Sequence, residues 1–304
     1  MSAVAGRATT ISGMRIWLMA SRPRTLPAAV APVLVGTAFA GFEHVFHPLR
    51  FLAALLGALF IQVGTNLSND YSDARRGADA EDRLGPVRVT AGGLVPPRQV
   101  LIATYVSFGL AVLFGIYLIV VAGWILLVIG AASILAGVAY TGGPKPYGYE
   151  GLGELFVFLF FGIGAVTGSY YVQTTHLNWE AFALAVPVGL LAAGILVVNN
   201  LRDIDSDRRA GKRTLAVKLG RRRTRIMFAV IVYLAFLLTP VTWAFGPTEA
   251  WMLLPWLTLP LAASLVRMVH NRTDGPSLNA ALAQSGMLQL TFCMLLSAGL
   301  LLSR

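Results

Sequence analysis

Residues 51–73 read FLAALLGALFIQVGTNLSNDYSD, and residues 181–207 read AFALAVPVGLLAAGILVVNNLRDIDSD. Each begins as an apolar run near the length of about 17 to 25 residues that crosses a bilayer as a helix, and each ends in asparagines and aspartates. Carboxylates are scarce elsewhere. Of 14 acidic residues, eight lie in two windows: Asp70, Asp73, Asp79, Glu81 and Asp82 in one, Asp203, Asp205 and Asp207 in the other. An ionisable cluster beside the apolar part of such a chain marks a functional site, here one for a cation.

Composition agrees with that reading. The chain is 56% hydrophobic and 12% charged, with mean hydropathy +0.70, against about 25% charged in a soluble domain. The expected fold is all-α, a single polytopic membrane domain with a bundle of helices around a central cavity. Nine apolar runs are placed, at 24–42, 51–70, 99–119, 123–140, 154–172, 180–199, 226–245, 250–269 and 280–302. The first contains Pro27 and Pro32 and follows no small-residue cleavage site, so it reads as a retained helix. The single cysteine, Cys293, excludes an intrachain disulfide and a thiolate metal site.

With nine spans and the N-terminus inside, 22 of the 24 Lys and Arg residues fall on the cytoplasmic side, leaving Arg50 and Arg304 outside. This is the positive-inside pattern, and it puts both acidic clusters at the cytoplasmic boundary of a cell inner membrane. Nucleic acid is excluded as a partner, since the basic residues flank spans and form no separate basic domain. The clusters also resemble each other: Asn-Leu-x-x-Asp-x-x-Asp before Arg75-Arg76-Gly77-Ala78, and Asn-Leu-x-Asp-x-x-x-Asp before Arg208-Arg209-Ala210-Gly211. Two related halves, roughly 15–145 and 146–304, follow from that likeness.

Helical spacing puts Asp70 with Asp73, and Asp203 with Asp207, on common faces. Two opposed carboxylate pairs suit Mg²⁺, which takes oxygen ligands and is commonly shared with substrate phosphates. Asn66, Asn69, Asn199 and Asn200 add neutral donors and acceptors. Arg88, Lys145, Lys212 and Arg213 are the cations available to a diphosphate; Lys145 stands out as one of three lysines, set in the Gly/Pro-rich turn Tyr140 to Tyr147. The histidines His44, His47, His176 and His270 form no cluster.

These residues resemble the UbiA-type intramembrane prenyltransferases. Asn69 to Asp73 is similar to that family's NDxxD motif and Asp203 to Asp207 to its DxxxD motif. The 1,4-dihydroxy-2-naphthoate branch of menaquinone synthesis is the nearer likeness, on Arg22-Pro-Arg-Thr-Leu-Pro27, Asn66 to Asp73 with Gly77 and Asp79, Gly85-Pro-Val-Arg88, Gly142 to Tyr147 with Gly151-Leu-Gly-Glu154, and Asn199 to Ala216. The wider pattern NDxxDxxxD has Gly77 at its last position here, and Asp79 follows two residues later. The resemblance implies Mg²⁺ held by Asp70, Asp73, Asp203 and Asp207 with Asp79, a polyprenyl diphosphate headed between the clusters, Lys145 in the catalytic set, and an acceptor, 1,4-dihydroxy-2-naphthoate, that loses CO₂. Arg22 and Arg24, at the mouth of the first run, are the candidates for the acceptor carboxylate. Tyr140, Tyr147, Phe156 and Phe160 are candidates to line the cavity. Alternatives are 4-hydroxybenzoate or homogentisate as acceptor, and a cation-coupled transporter, whose acidic sites belong nearer the bilayer midplane. A CDP-alcohol phosphotransferase lacks its Asp-Gly signature in either cluster.

Overall fold

A computed structural model describes residues 13–78, 84–85, 87–240 and 249–304. Asp79 therefore lies outside the described residues, as does the end of the apolar run at 226–245. All regular structure among the described residues is helical. The chain opens with α1 (Gly13–Ser21), a 3₁₀ turn (Pro23–Thr25) and α2 (Pro27–Phe42), then α3 (Pro48–Arg75), α4 (Pro97–Ala122) and α5 (Ile125–Ala139). A 3₁₀ turn at Tyr147–Glu150 leads into a span made of α6 (Gly153–Val157), a π-helical stretch (Phe158–Gly164) and α7 (Ala165–Thr174). There follow α8 (Trp179–Arg202), α9 (Ile204–Arg209), α10 (Leu215–Leu238), a 3₁₀ stretch (Ala250–Thr258), α11 (Leu259–Asn271) and α12 (Gly275–Leu302).

Among the described residues six helices are long and apolar enough to cross a membrane, and α1 with α2 make a seventh if their 53° bend is taken as one broken span. The chain is a multi-pass helical membrane protein. Each of the nine apolar runs read from the sequence carries a helix. Two of these helices are not among those six or the bent pair: α5, of 15 residues, and α10, which begins among Lys218, Arg221, Arg222, Arg223 and Arg225 and whose apolar run continues outside the described residues.

The core lies where α2, α7, α8, α10, α11 and α12 pack together, around Phe39, Tyr170, Leu184, Phe228 and Phe292, each at most 1% exposed. Lipid solvates leucine as well as a neighbouring helix does, so close backbone approach is what joins membrane helices. Gly162 in the π-helical stretch meets Gly189 of α8, and a Cβ on Gly162 would lie 2.5 Å from the Gly189 Cα. On the other side α3 packs against α4, α2 and α5. The wall formed by α4 and α5 exposes a row of large apolar residues, among them Ile102, Leu113, Val120 and Leu135.

Candidate active site

One end of the bundle gathers the end of α3, the turn before α6, the end of α8 and the loop after α9. Between them opens a cavity of about 460 Å³. Its polar head is lined by Asp73, Arg88, Asn199, Asp203, Asp207 and Lys212, and its apolar length by residues of α3, α4, α5, the π-helical stretch and α8. Along α3 the wall runs from Asp73 back to Ala54, a rise of roughly 28 Å at about 1.5 Å per residue.

Asp73 is 1% exposed and already balanced by charge. Its Oδ2 accepts from Arg88 Nη2 at 3.0 Å and pairs with Lys212 Nζ at 3.2 Å, while Tyr149 donates its hydroxyl to Oδ1 at 2.6 Å. Lys212 also stands 4.8 Å from the Tyr149 ring centre, a distance at which a cation is attracted to the ring face. Asp70, one turn earlier and 2% exposed, has a different task. Its two oxygens accept the backbone N–H groups of Val89 and Thr90 at 3.1 and 2.9 Å, which holds the turn that presents Arg88 to Asp73.

The second cluster is built at a helix break. Asp203 ends α8 and precedes α9, whose first turn closes with Asp207 N–H donating to the Asp203 carbonyl at 2.8 Å. Arg202, 2% exposed, grips the Asp203 carboxylate with Nε at 2.8 Å and Nη2 at 2.6 Å. The same guanidinium donates to Asn199 and to Asn279 of α12, both at 2.9 Å. Asp205 leaves the site: it is 58% exposed by side chain and pairs with Arg221.

The break between α1 and α2 forms a third wall. Arg22 has a left-handed backbone, φ 53°, an uncommon state for a residue other than glycine. Asn66 stabilises the break by donating Nδ2 to the Ser21 carbonyl and to Thr25 Oγ1, at 2.9 and 3.1 Å, and Gln62 donates to the same Thr25 oxygen. Asn69 accepts from Thr141 at 2.8 Å, and Asn200 donates to Glu154 at 2.9 Å.

An aromatic ladder descends from the polar head. Tyr140 meets Tyr147 edge to face with centroids 5.5 Å apart, Tyr147 stacks on Phe156 at 4.0 Å, and Phe156 on Phe160 at 6.1 Å. All four line the cavity. Burial pushes the Tyr147 hydroxyl well above its ordinary pKa, and it donates to the Ala136 carbonyl at 2.9 Å. It therefore serves as a neutral ring.

Fourteen of the residues singled out from sequence thus line one cavity: Arg22, Asn66, Asn69, Asp73, Arg88 and Tyr140 from the first half, Tyr147, Phe156, Phe160, Asn199, Asn200, Asp203, Asp207 and Lys212 from the second. Asp70, Lys145 and Arg213 do not form its wall. Lys145 and Arg213 are exposed, and Arg213 contributes a backbone N–H to the Tyr149 carbonyl at 2.8 Å. Arg202, Tyr149, Thr141 and Glu154 were missed. Arg202 had a readable signal, since a guanidinium in the last turn of an apolar helix is expensive unless paired. Tyr149 had none.

The UbiA prenyltransferase family profile matches residues 29–298. The chain belongs to this family. Among family members, a 1,4-dihydroxy-2-naphthoate octaprenyltransferase of Mycobacterium tuberculosis is 41% identical, over 93% of this chain and 96% of its own length. An enzyme of the same name from Escherichia coli is 37% identical, over 97% of both chains. The family fold is seen in a UbiA homologue from Archaeoglobus fulgidus bound to DMAPP and Mg²⁺, which superposes with a TM-score of 0.64 at 13% identity, covering 92% of this chain and 99% of that one.

Proposed function

We propose that this prenyltransferase moves a polyprenyl group from a polyprenyl diphosphate to 1,4-dihydroxy-2-naphthoate, releasing diphosphate and CO₂ and giving a demethylmenaquinone in its reduced, quinol form. The observation that carries the reading is the meeting of Asp73, Asp203 and Asp207 with Arg88 and Lys212 at the head of a long apolar cavity. That arrangement suits a ligand with an anionic head and a lipid tail. The names of the relatives support the naphthoate as acceptor. Mg²⁺ fits the donor set, which is all oxygen. Among the described residues no three His, Cys, Asp or Glu side chains converge into a metal cage, so the ion would be shared between aspartates and diphosphate oxygens.

Asp73, Asp203 and Asp207 would hold Mg²⁺, which when bound supplies Lewis-acid stabilisation of the departing diphosphate. Arg88 and Lys212 add fixed positive charge where the bond to the allylic carbon breaks, and such preorganised charge is worth most in a water-poor site. Asp70 acts through the 88–90 turn. The ladder from Tyr140 to Phe160 excludes water from the allylic cation and offers it ring faces. The carbon–oxygen bond breaks with its electron pair leaving on diphosphate, the naphthoate ring then attacks the allylic cation through carbon, and the ring carboxylate leaves as CO₂, its bonding pair restoring the aromatic ring. Arg22, which lines the cavity, is the cation we assign to that carboxylate. The positive-inside distribution of Lys and Arg argues for a site open to the cytoplasm, in the inner membrane.

The test is an assay of the purified protein in detergent with Mg²⁺, a polyprenyl diphosphate and either 1,4-dihydroxy-2-naphthoate or 4-hydroxybenzoate. Naphthoate-dependent product with matching CO₂ is expected. Product with the benzoate alone would move the enzyme to another pathway and leave the site intact.

A further inference from the structure

Four asparagines line the head of the cavity, and for three of them the partner determines which end of the amide is left over. Asn66 gives Nδ2 to the Ser21 carbonyl, which accepts only, so its Oδ1 is left for the cavity. Asn199 receives Arg202 Nη2, which donates only, so its Nδ2 is left. Asn69 accepts from the Thr141 hydroxyl, a group that can donate or accept and so does not fix the amide in the same way. Asn200 gives its Nδ2 to Glu154 Oε1 and presents Oδ1.

The Glu154 pairing is the unexpected one. Glu154 opens α6, is 6% exposed and does not line the cavity. Its Oε2 is buried with no hydrogen-bond partner among the described residues. A carboxyl group in a membrane helix carries a desolvation cost that one hydrogen bond does not cancel, and the group it touches is a cavity amide. We propose that Glu154 is a positioning residue: it locks the Asn200 amide with Oδ1 toward the head of the cavity, where it adds a neutral oxygen for the cation that accompanies a diphosphate. Asn199, held the opposite way by Arg202, offers its N–H groups to phosphate oxygen. Adjacent residues of one helix thus serve the two partners of a metal–diphosphate pair. This deepens the diphosphate reading above and rests on it.

The test needs no acceptor and no turnover. Thermal unfolding of the purified protein is followed with inorganic pyrophosphate at fixed concentration while Mg²⁺ is titrated, and the Mg²⁺ concentration giving half-maximal stabilisation is read. E154L is expected to raise that midpoint about tenfold or more, the usual effect of losing a residue that orients a ligand. E154Q, which keeps an oxygen to accept from Asn200, is expected to stay near the parent. N200A must shift the midpoint at least as far as E154L, and this variant decides the matter if E154L does not fold. An unshifted midpoint in N200A, or an E154Q as impaired as E154L, overturns the inference. Absence of any Mg²⁺-dependent stabilisation of the parent overturns the diphosphate reading and this inference together.

Discussion

At the scale of single residues, the site is a set of buried charges that already satisfy one another. Removing one partner of such a pair leaves the other stranded, which is why the effects should be large. Asp73→Asn and Asp203→Asn are expected to abolish turnover while the protein still inserts and elutes as a single species in detergent. Lys212→Met removes one fixed cation beside Asp73 and is expected to lower kcat/KM by about 10² to 10³, the range for deleting one preorganised donor. Asp70→Ala acts differently. It withdraws the acceptor of two buried N–H groups, a loss of about 1–3 kcal/mol for each, and frees the turn that carries Arg88. Its melting temperature should fall, and its activity loss should resemble that of Arg88→Gln; a variant with parental activity would show that the turn needs no such anchor.

At the scale of elements, several functional side chains stand where a helix stops or changes form. Asp203 sits at the break between α8 and α9, Arg22 at the break between α1 and α2, and the cavity phenylalanines on or beside the π-helical stretch, a form often found at functional sites. That stretch rides on the Gly162–Gly189 contact. Gly189→Val is expected to cost about 1–3 kcal/mol by overpacking and to lower activity by displacing Phe156 and Phe160. Outside the cavity, Asp274 caps α12 by accepting the Ser277 N–H at 2.9 Å, and that bond holds its carboxyl below the usual carboxylate range. A depressed folded pKa adds stability above the unfolded value of about 3.9 and loses it as pH falls through the folded value. The melting temperature of the parent should therefore exceed that of Asp274→Ala at pH 7, and the gap should narrow in acid. Much of this was legible in the sequence, because apolar runs and interrupted acidic clusters are local signals. Which lysine enters the cavity was not. Lys145 and Lys212 both lie in Gly-bearing loops, and only the packing of the loop after α9 against Tyr149 turns Lys212 inward. The spacing of Asp70 and Asp73 likewise suggested twin carboxylates, whereas a turn twenty residues on takes one of them.

At the scale of the whole molecule, charge and apolar surface are sorted to opposite parts of one cavity, and two measurements follow. Chelation of divalent cations should extinguish activity, with Mg²⁺ restoring it; activity untouched by chelator would remove the shared-cation argument. For topology, Cys293 is buried at 0% exposure, so a cysteine placed at the exposed position of Lys145 should label alone with a membrane-impermeant maleimide. Labelling is expected in inverted vesicles and not in intact cells. The pairing of Asp73 with Arg88 and Lys212 has a last consequence, for the end of each catalytic cycle. A diphosphate leaving with its metal would strand bare carboxylates in a water-poor chamber if the aspartates had no other partner, and product would be retained. Here the two cations that accompany the leaving group can return to Asp73, so the emptied enzyme is electrically balanced before the next lipid arrives. Release of diphosphate is then an exchange of counterions, and it should quicken with ionic strength.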